Sequence, residues 1–444
     1  MLRCPLVKDP VLIPGSIMSA QNSLFDWLAG LEFFGVKLGL SQTRMLFDEL
    51  GSPDRQLKFI HLAGSNGKGS TGAMIEAGLR GAGYTTGFYS SPHLVTVNER
   101  FRLNGEVADD DTVLAALAKV RAAGERMLAK GHKITYFEAT TATAAVIFAD
   151  RKVDFVVWET GMGGRLDATN LVIPLASLIT SISLEHKEYL GDTLEKIAFE
   201  KAGIVKPGVP VFCGCNVPPE AMEVISARAR ECHSEVTQAA MPEDASIRFE
   251  DDQPFQTFCG GKLSLRLPGR FQRANAALAM LVLENLAGRF HFDLNKSVKA
   301  LKYTVWPARF QVFPHENLLF DGAHNPECAR ELASALREVY PGEKFDFIYG
   351  SFADKETDLF LKQLIPLAAS FRFVKVESAR KSRTPEELCK LLNGLAPEIP
   401  CSGTTLDSAL SQTMPHRQVL CGSLHLCGEA LAIREKADYR SSRY

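Results

Sequence analysis

The sequence predicts an α/β protein: a parallel-sheet domain carrying a P-loop of the ATPase kind, followed by a smaller Rossmann-like α/β domain. Three observations carry this. Short apolar runs with the composition of buried strands alternate with longer stretches of helical spacing, the pattern of a parallel sheet covered on both faces. A glycine-rich turn, Gly64-Ser65-Asn66-Gly67-Lys68-Gly69-Ser70, joins one such run, 59–63, to a helical stretch at 73–79. A second strand-and-helix series begins after Trp306-Pro307, where proline disfavours helix at the residue before it.

The elements follow in order. After the turn, 85–89 reads as a strand, 111–129 as an amphipathic helix and 137–148 as a packed, alanine-rich helix. The runs 154–158 and 177–183 read as buried strands, and 193–204 as a helix that stops before Pro207-Gly208. A short strand at 209–212 follows. Apolar and polar residues alternate over 246–267 around Gly260-Gly261, which predicts an antiparallel hairpin. A helix is expected at 271–289. Beyond the proline, strands are expected at 318–320, 345–349, 371–376 and 418–421, with helices at 327–339, 356–368 and 385–394. We therefore expect one domain over 1–304 and another over 305–444, with 1–17 a loose extension and Met18 the true start.

Composition narrows the class. The chain has 444 residues, 46% hydrophobic and 23% charged, as in a globular enzyme. Its net charge of −2 points to neither nucleic acid nor an acidic membrane as the main partner. No apolar run reaches the ~18 residues needed to span a bilayer, and no signal-peptide core is present. The ten cysteines form no Cys-x-x-Cys pair. Cys213, Cys215, Cys232 and His233 fit no usual zinc spacing, so buried thiols in a reducing cytoplasm are expected. No long heptad argues for an oligomer, which leaves a monomer.

The turn at 64–70 carries the chemistry. Glycines let backbone N–H groups curl inward, and the following helix adds partial positive charge, so a polyphosphate fits there. Lys68 neutralises the outer phosphates. The spacing departs from the common loop, since Gly69 follows Lys68 and Ser70 comes one position late. A magnesium ion beside the phosphates needs oxygen or imidazole ligands at the carboxyl ends of neighbouring strands. Ser91, Glu159 and His186 stand in that position.

At this point the chain resembles a known family. The ordered blocks HLAGSNGKGS (61–70), YSSPHLVTVNERFRLNG (89–105), TYFEATTATAA (135–145), ETGMGGRLDATN (159–170), TSISLEHKEYLGDTLEKIAFEKAGIVKPGVPV (180–211), GRFQRANAALA (269–279), WPARFQ (306–311), FDGAHNP (320–326) and CGSLHLCGE (421–429) are similar to those of folylpolyglutamate and dihydrofolate synthases of the Mur ligase superfamily. The resemblance implies a ligase that phosphorylates a pteroate or folate carboxylate with ATP and joins it to the amine of L-glutamate. It implies that Gly64, Ser65, Asn66, Gly67, Lys68, Gly69 and Ser70 cradle ATP, with Asn275, Arg309 and Asp321 also on the nucleotide. Ser91 and Glu159 would hold one Mg²⁺ and His186 a second. Lys68, His186, Lys201, Asp321 and His324 would carry catalysis. Lys201 matches a family lysine able to carry a carbamate, although its spacing alone reads as a helix-surface lysine. Asp321 and His324 match the second-domain motif that closes on the nucleotide and the incoming glutamate, with a hinge near Trp306-Pro307. We place the pterin against Pro92, His93, Tyr136 and Phe137, because a flat heteroaromatic ring favours aromatic and apolar walls.

Three departures stand out: Glu185 where the family usually has Asp, Ala308 for a glycine, and Thr96 for a frequent Arg. Two alternatives remain at this stage, another Mur-type amino-acid ligase and a nucleotide-binding regulator without catalysis.

Overall fold

The computed structural model describes residues 24–31, 39–378, 380–437 and 439. The expected extension 1–17 and the start at Met18 lie outside them. Eight strands form the first sheet: β1 (Phe59–Ala63), β2 (Thr86–Tyr89), β3 (Phe101–Leu103), β4 (Glu106–Val107), β5 (Phe155–Glu159), β6 (Ala176–Ile179), β7 (Val211–Cys213) and β8 (Val236–Gln238). Their order is β4-β3-β2-β5-β1-β6-β7-β8. β1 lies in the middle, with Ile60 opposite Val157 of β5 on one side and Ala176 of β6 on the other. All residues of β1 and β5 are buried, as expected for strands covered on both faces. Only β3 and β4 pair antiparallel, at the edge.

The chain leaves β1 towards β2 and returns through β5, whereas β6 continues on the other side of β1. The carboxyl end of β1 is thus a switch point, where open α/β sheets bind ligands. The helix Lys68–Gly81 starts there. It packs on the helices Arg270–Phe290 and Leu294–Leu301. The helix Tyr136–Asp150 begins with a capping box, Thr135 and Glu138 exchanging side-chain and backbone hydrogen bonds.

β9 (Ala245–Glu250), β10 (Gln253–Phe258) and β11 (Leu263–Leu265) form a small antiparallel sheet. The third sheet holds β12 (Gln311–Phe313), β13 (Leu318–Phe320), β14 (Phe345–Tyr349), β15 (Ala368–Phe373), β16 (Cys401–Gly403) and β17 (Arg417–Cys421), in the order β12-β13-β17-β14-β15-β16. It is parallel apart from β12. Its strands and helices enclose a separate apolar core around Leu336, Phe347 and Phe371. No described helix is long and apolar enough to cross a membrane.

The structure corrects four expected elements. The strand expected over 177–183 stops at Ile179, because the next residues turn to hold the glycine-rich loop. The hairpin at 246–267 is a three-stranded meander; its unforeseen turn is Asp251-Asp252, both at positive φ, the geometry of a two-residue primed turn. The helix expected over 356–368 ends at Leu364, since Pro366 cannot donate the helical hydrogen bond. The following strand accordingly starts early, at Ala368, and ends at Phe373.

Candidate active site

The glycine-rich loop is built by three neighbours. Its backbone is pinned to the residues after β6: Ser65 N–H donates to Ser181 O at 2.9 Å, Asn66 N–H to Ser181 Oγ at 2.9 Å, and Thr180 Oγ1 to Asn66 O at 2.6 Å. Gly67 caps the helix Lys68–Gly81 at φ +86°, a conformation that favours glycine, and its Cα faces the Asn275 amide. Gly69 lies against the Trp306 indole. Lys68 Nζ donates to Gly64 O at 2.7 Å across the loop. Ser70 turns inward, where it is buried and accepts from Gln272 Nε2 at 3.3 Å; Gln272 in turn accepts from Asn275 Nδ2 at 3.0 Å.

Glu159 ends β5 beside this loop. Its side chain is buried and Oε2 has no hydrogen-bond partner, a loss of about 1–3 kcal/mol unless something fills it. Burial pushes its carboxyl up to about 7, against the pull of Lys68, the Ser91 backbone N–H, Arg309 and Arg100. Ser91 and Glu159 are therefore together, as the sequence predicts. An orphaned carboxylate oxygen beside a serine suits a hard cation. His186 sits at φ +45° ahead of the short helix Lys187–Leu190, and Lys68 acts on it as on Glu159. Burial pushes its imidazole down, Glu185 opposes this, and Lys201, Lys68 and Lys355 reinforce it, which favours the neutral ring. Among the described residues no three His, Cys, Asp or Glu side chains converge as a metal cluster.

Lys201 is not a surface lysine. It is 1% exposed, and Nζ lies 2.7 Å from Glu185 Oε1. Burial alone would raise Glu185, but Lys201 and Lys68 hold it down at about 2. Glu185, noted as a departure, is the residue that pairs with Lys201.

The β12–β17 sheet delivers the remaining groups. Asp321 directly follows β13 with both oxygens engaged, Oδ2 by Phe310 N–H at 2.8 Å and Oδ1 by Ala323 N–H at 2.9 Å. Burial raises its carboxyl against the pull of Arg309. Asp321 thereby fixes the stretch that carries Arg309. His324 Nδ1 donates to Gly322 O at 2.9 Å, leaving Nε2 as an acceptor. Burial pushes it down to about 4, with Lys355 and Arg309 acting the same way and Glu185 opposing. Arg309 thus acts on Glu159 as well as on Asp321 and His324, and Glu185 acts on His324. The two sheets share one electrostatic site.

The aromatic region is more closed than the sequence suggests. His93 and Tyr136 are buried, and both are engaged by Arg100, whose Nε donates to His93 Nδ1 at 2.9 Å and whose guanidinium lies 5.2 Å from the Tyr136 ring centre. Phe137 is half-buried and packs against Gly161. Pro92 is exposed.

Residues 62–283 match the Mur ligase middle domain, and residues 311–433 match the dihydrofolate synthetase C-terminal domain. The chain is 35% identical over 382 residues to the dihydrofolate synthase/folylpolyglutamate synthase of Bacillus subtilis, covering 82% of this chain and 87% of that protein. It belongs to the dihydrofolate synthase/folylpolyglutamate synthase family. Members of this family are ATP-dependent ligases that form ADP and phosphate. The crystal structure of Thermotoga maritima folylpolyglutamate synthase is similar at a TM-score of 0.79 and 29% identity, covering 94% of this chain and 97% of that one. Mycobacterium tuberculosis folylpolyglutamate synthase complexed with ADP and AMPPCP gives 0.82 and 26%, covering 95% and 100%.

Within this family site, sequence reasoning missed several supporting residues. Thr180 and Ser181, which pin the loop, looked like strand. Asp167 organises the turn after β5, accepting from Gly161 N–H at 3.0 Å, Met162 N–H at 2.9 Å and Thr169 Oγ1 at 2.6 Å. An acidic residue shortly after a glycine-rich run, as in GMGGRLDATN, is the signal that could have found it.

Proposed function

We propose that this chain joins L-glutamate to dihydropteroate, to a (tetrahydro)folate, or to both, through an acyl phosphate made from ATP. The observation that carries this reading is the meeting of Lys68 and Glu159 at the switch point of one sheet with Arg309 and His324 of the other. The phosphate loop binds the nucleotide through backbone N–H groups at 64–70, with Lys68 neutralising the outer phosphates. Asn275, Arg309 and Asp321 complete the nucleotide's surroundings.

A carboxylate is a poor electrophile, and phosphorylation gives it a leaving group. Lys68 and Arg309 offset the charge that builds as the phosphoryl group transfers and then leaves. The glutamate amine attacks only when unprotonated. His324 is neutral at pH 7, held down at about 4, and its Nε2 is able to accept the proton that the amine sheds. Ser91 and Glu159 would hold one Mg²⁺ and His186 a second. Such ions supply charge neutralisation and alignment of the phosphates. The orphaned Glu159 oxygen fits that role. A carbamate on Lys201 would form from the neutral amine, which burial favours, once the 2.7 Å contact to Glu185 opens; as the ammonium, Lys201 holds the Glu185–His186 turn in place.

Water destroys acyl phosphates, so closure of a 1–304 domain on a 305–444 domain would protect the intermediate. The family matches end at 283 and resume at 311, on either side of that proposed boundary. Trp306 anchors the chain at that boundary to the first sheet, stacked 5.3 Å from Phe88 with Arg102 at 5.0 Å on its ring, so a hinge would lie beyond it. Every group named belongs to one chain, so a monomer suffices, and neither nucleic acid nor a membrane enters the reading. The cytoplasm supplies the ATP. Pro92, His93, Tyr136 and Phe137 remain our choice for the pterin.

The test is phosphate release from purified protein with ATP, Mg²⁺ and glutamate, with dihydropteroate or tetrahydrofolate as acceptor. We expect release with at least one and none from Lys68→Ala, which should remain folded. Release with neither acceptor, or a fully active Lys68→Ala, contradicts the reading.

A further inference from the structure

Asn66 is fixed in the phosphate loop but its side chain leaves it. Its backbone N–H and carbonyl are both held by Thr180 and Ser181. Its amide instead spans the gap to the helix Pro326–Val339. Nδ2 donates to Glu327 Oε2 at 3.0 Å, and Oδ1 accepts from Cys328 Sγ at 3.5 Å. That helix start is itself rigid, because Asn325 caps it with Oδ1 on Cys328 N–H at 2.8 Å. The contact therefore ties the residue two before Lys68 to the residue three after His324. Further along the same helix, Glu338 pairs with Arg273 at 2.6 Å. Arg273 lies on the helix that also carries Asn275.

Glu327 is an unexpected neighbour for such a loop. A carboxylate there works against an incoming polyphosphate by like charge. Its place in the first turn of a helix is favourable, but that would hold equally for a side chain pointing elsewhere. The acid makes sense as a docking group, whose bond to Asn66 sets how the β12–β17 sheet meets the first sheet.

We propose that Asn66 and Glu327 are a positioning pair. Through them the loop's geometry is passed to Asp321 and His324, while Glu327 touches neither substrate nor reacting atoms. This rests on the ligase reading for its kinetic readout and on nothing else in that reading.

The experiment compares wild type, Glu327→Ala, Glu327→Gln, Asn66→Ala and the Asn66→Ala/Glu327→Ala double variant of the full chain. Steady-state kinetics, ADP affinity by calorimetry, melting temperature and small-angle scattering with ADP are measured for each. For Glu327→Ala we expect kcat to fall about tenfold, the size set by one charged hydrogen bond, with ADP bound as tightly as before or more so. Glu327→Gln keeps an acceptor for the Asn66 amide and should stay within about twofold of wild type. Asn66 also belongs to the loop, so its variant is read for coupling: the double variant should be no slower than Asn66→Ala alone. Scattering should show Glu327→Ala with ADP to be more extended than wild type. Multiplying losses, a Gln variant as slow as the Ala variant, a kcat that merely tracks melting temperature, or unchanged scattering would each overturn the pair. Should wild type itself turn over no acceptor, the ligase reading falls instead, and the ADP and scattering comparisons still decide this proposal.

Discussion

Replacing Lys201 with Met, which keeps its length and removes its charge, tests the buried pair at the centre of the site. Lys201 is 1% exposed and 2.7 Å from Glu185. Glu185 is held at about 2 against an ordinary 4.5, and that difference of about 2.5 corresponds to about 3 kcal/mol at 1.36 kcal/mol for each tenfold. Burial pushes Lys201 down while Glu185 pulls it back, so assembling the pair is not all gain. Breaking one side is costly regardless, because it leaves a buried carboxylate alone, about 3–5 kcal/mol in such cases. We therefore expect Lys201→Met to lose about 3 kcal/mol at pH 7, measured by denaturant unfolding of the ligand-free chain. The pH dependence has a definite sign. A depressed carboxyl stabilises the fold above its unfolded value and loses that contribution as pH falls towards its folded value. The gap between wild type and Lys201→Met should thus be full above about pH 5 and shrink between 4.5 and 2. Lys201→Met/Glu185→Gln, which removes both charges, should recover most of the loss. A gap below about 1 kcal/mol at pH 7, or one that is the same at pH 7 and pH 3.5, would refute the reasoning.

Two further outcomes follow from the same structure. Because burial pushes Glu159 up to about 7, metal binding competes with its proton. Half-activating Mg²⁺ should rise as pH falls below 7, by up to about tenfold per unit, and Glu159→Gln should need far more Mg²⁺ at every pH without that slope; a Mg²⁺ requirement flat from pH 6 to 8 would remove Glu159 from the metal. Ala308 is fully buried at φ +54°, so Ala308→Val, which forces a β-branched residue into a left-handed conformation, should cost about 2 kcal/mol or more in thermal or denaturant unfolding, and an unchanged midpoint would show that the linker does not hold this conformation in solution.

Much of this site was legible in the sequence because its parts sit where strands end. β1, β13 and β14 have the predicted bounds, since a short, largely apolar run between turn residues has few alternatives. The loop, Ser91 and Glu159 follow from those strands directly. What could not be read is what depends on contact across the fold. The run after β6 continues with the β-branched Thr180 and Ile182, which favour strand, yet Thr180 and Ser181 serve the loop. The spacing of Lys201 suggests an exposed face, and only the position of Glu185 shows why it is buried. Asn66 and Glu327 are 261 positions apart, and no local pattern links them.

The most direct measurement is a crystal structure with AMPPCP and Mn²⁺ in place of ATP and Mg²⁺. The account predicts phosphate density against the backbone N–H groups of 64–70 and an anomalous peak touching Ser91 and Glu159. A nucleotide bound elsewhere, with no metal peak at those two side chains, would contradict it.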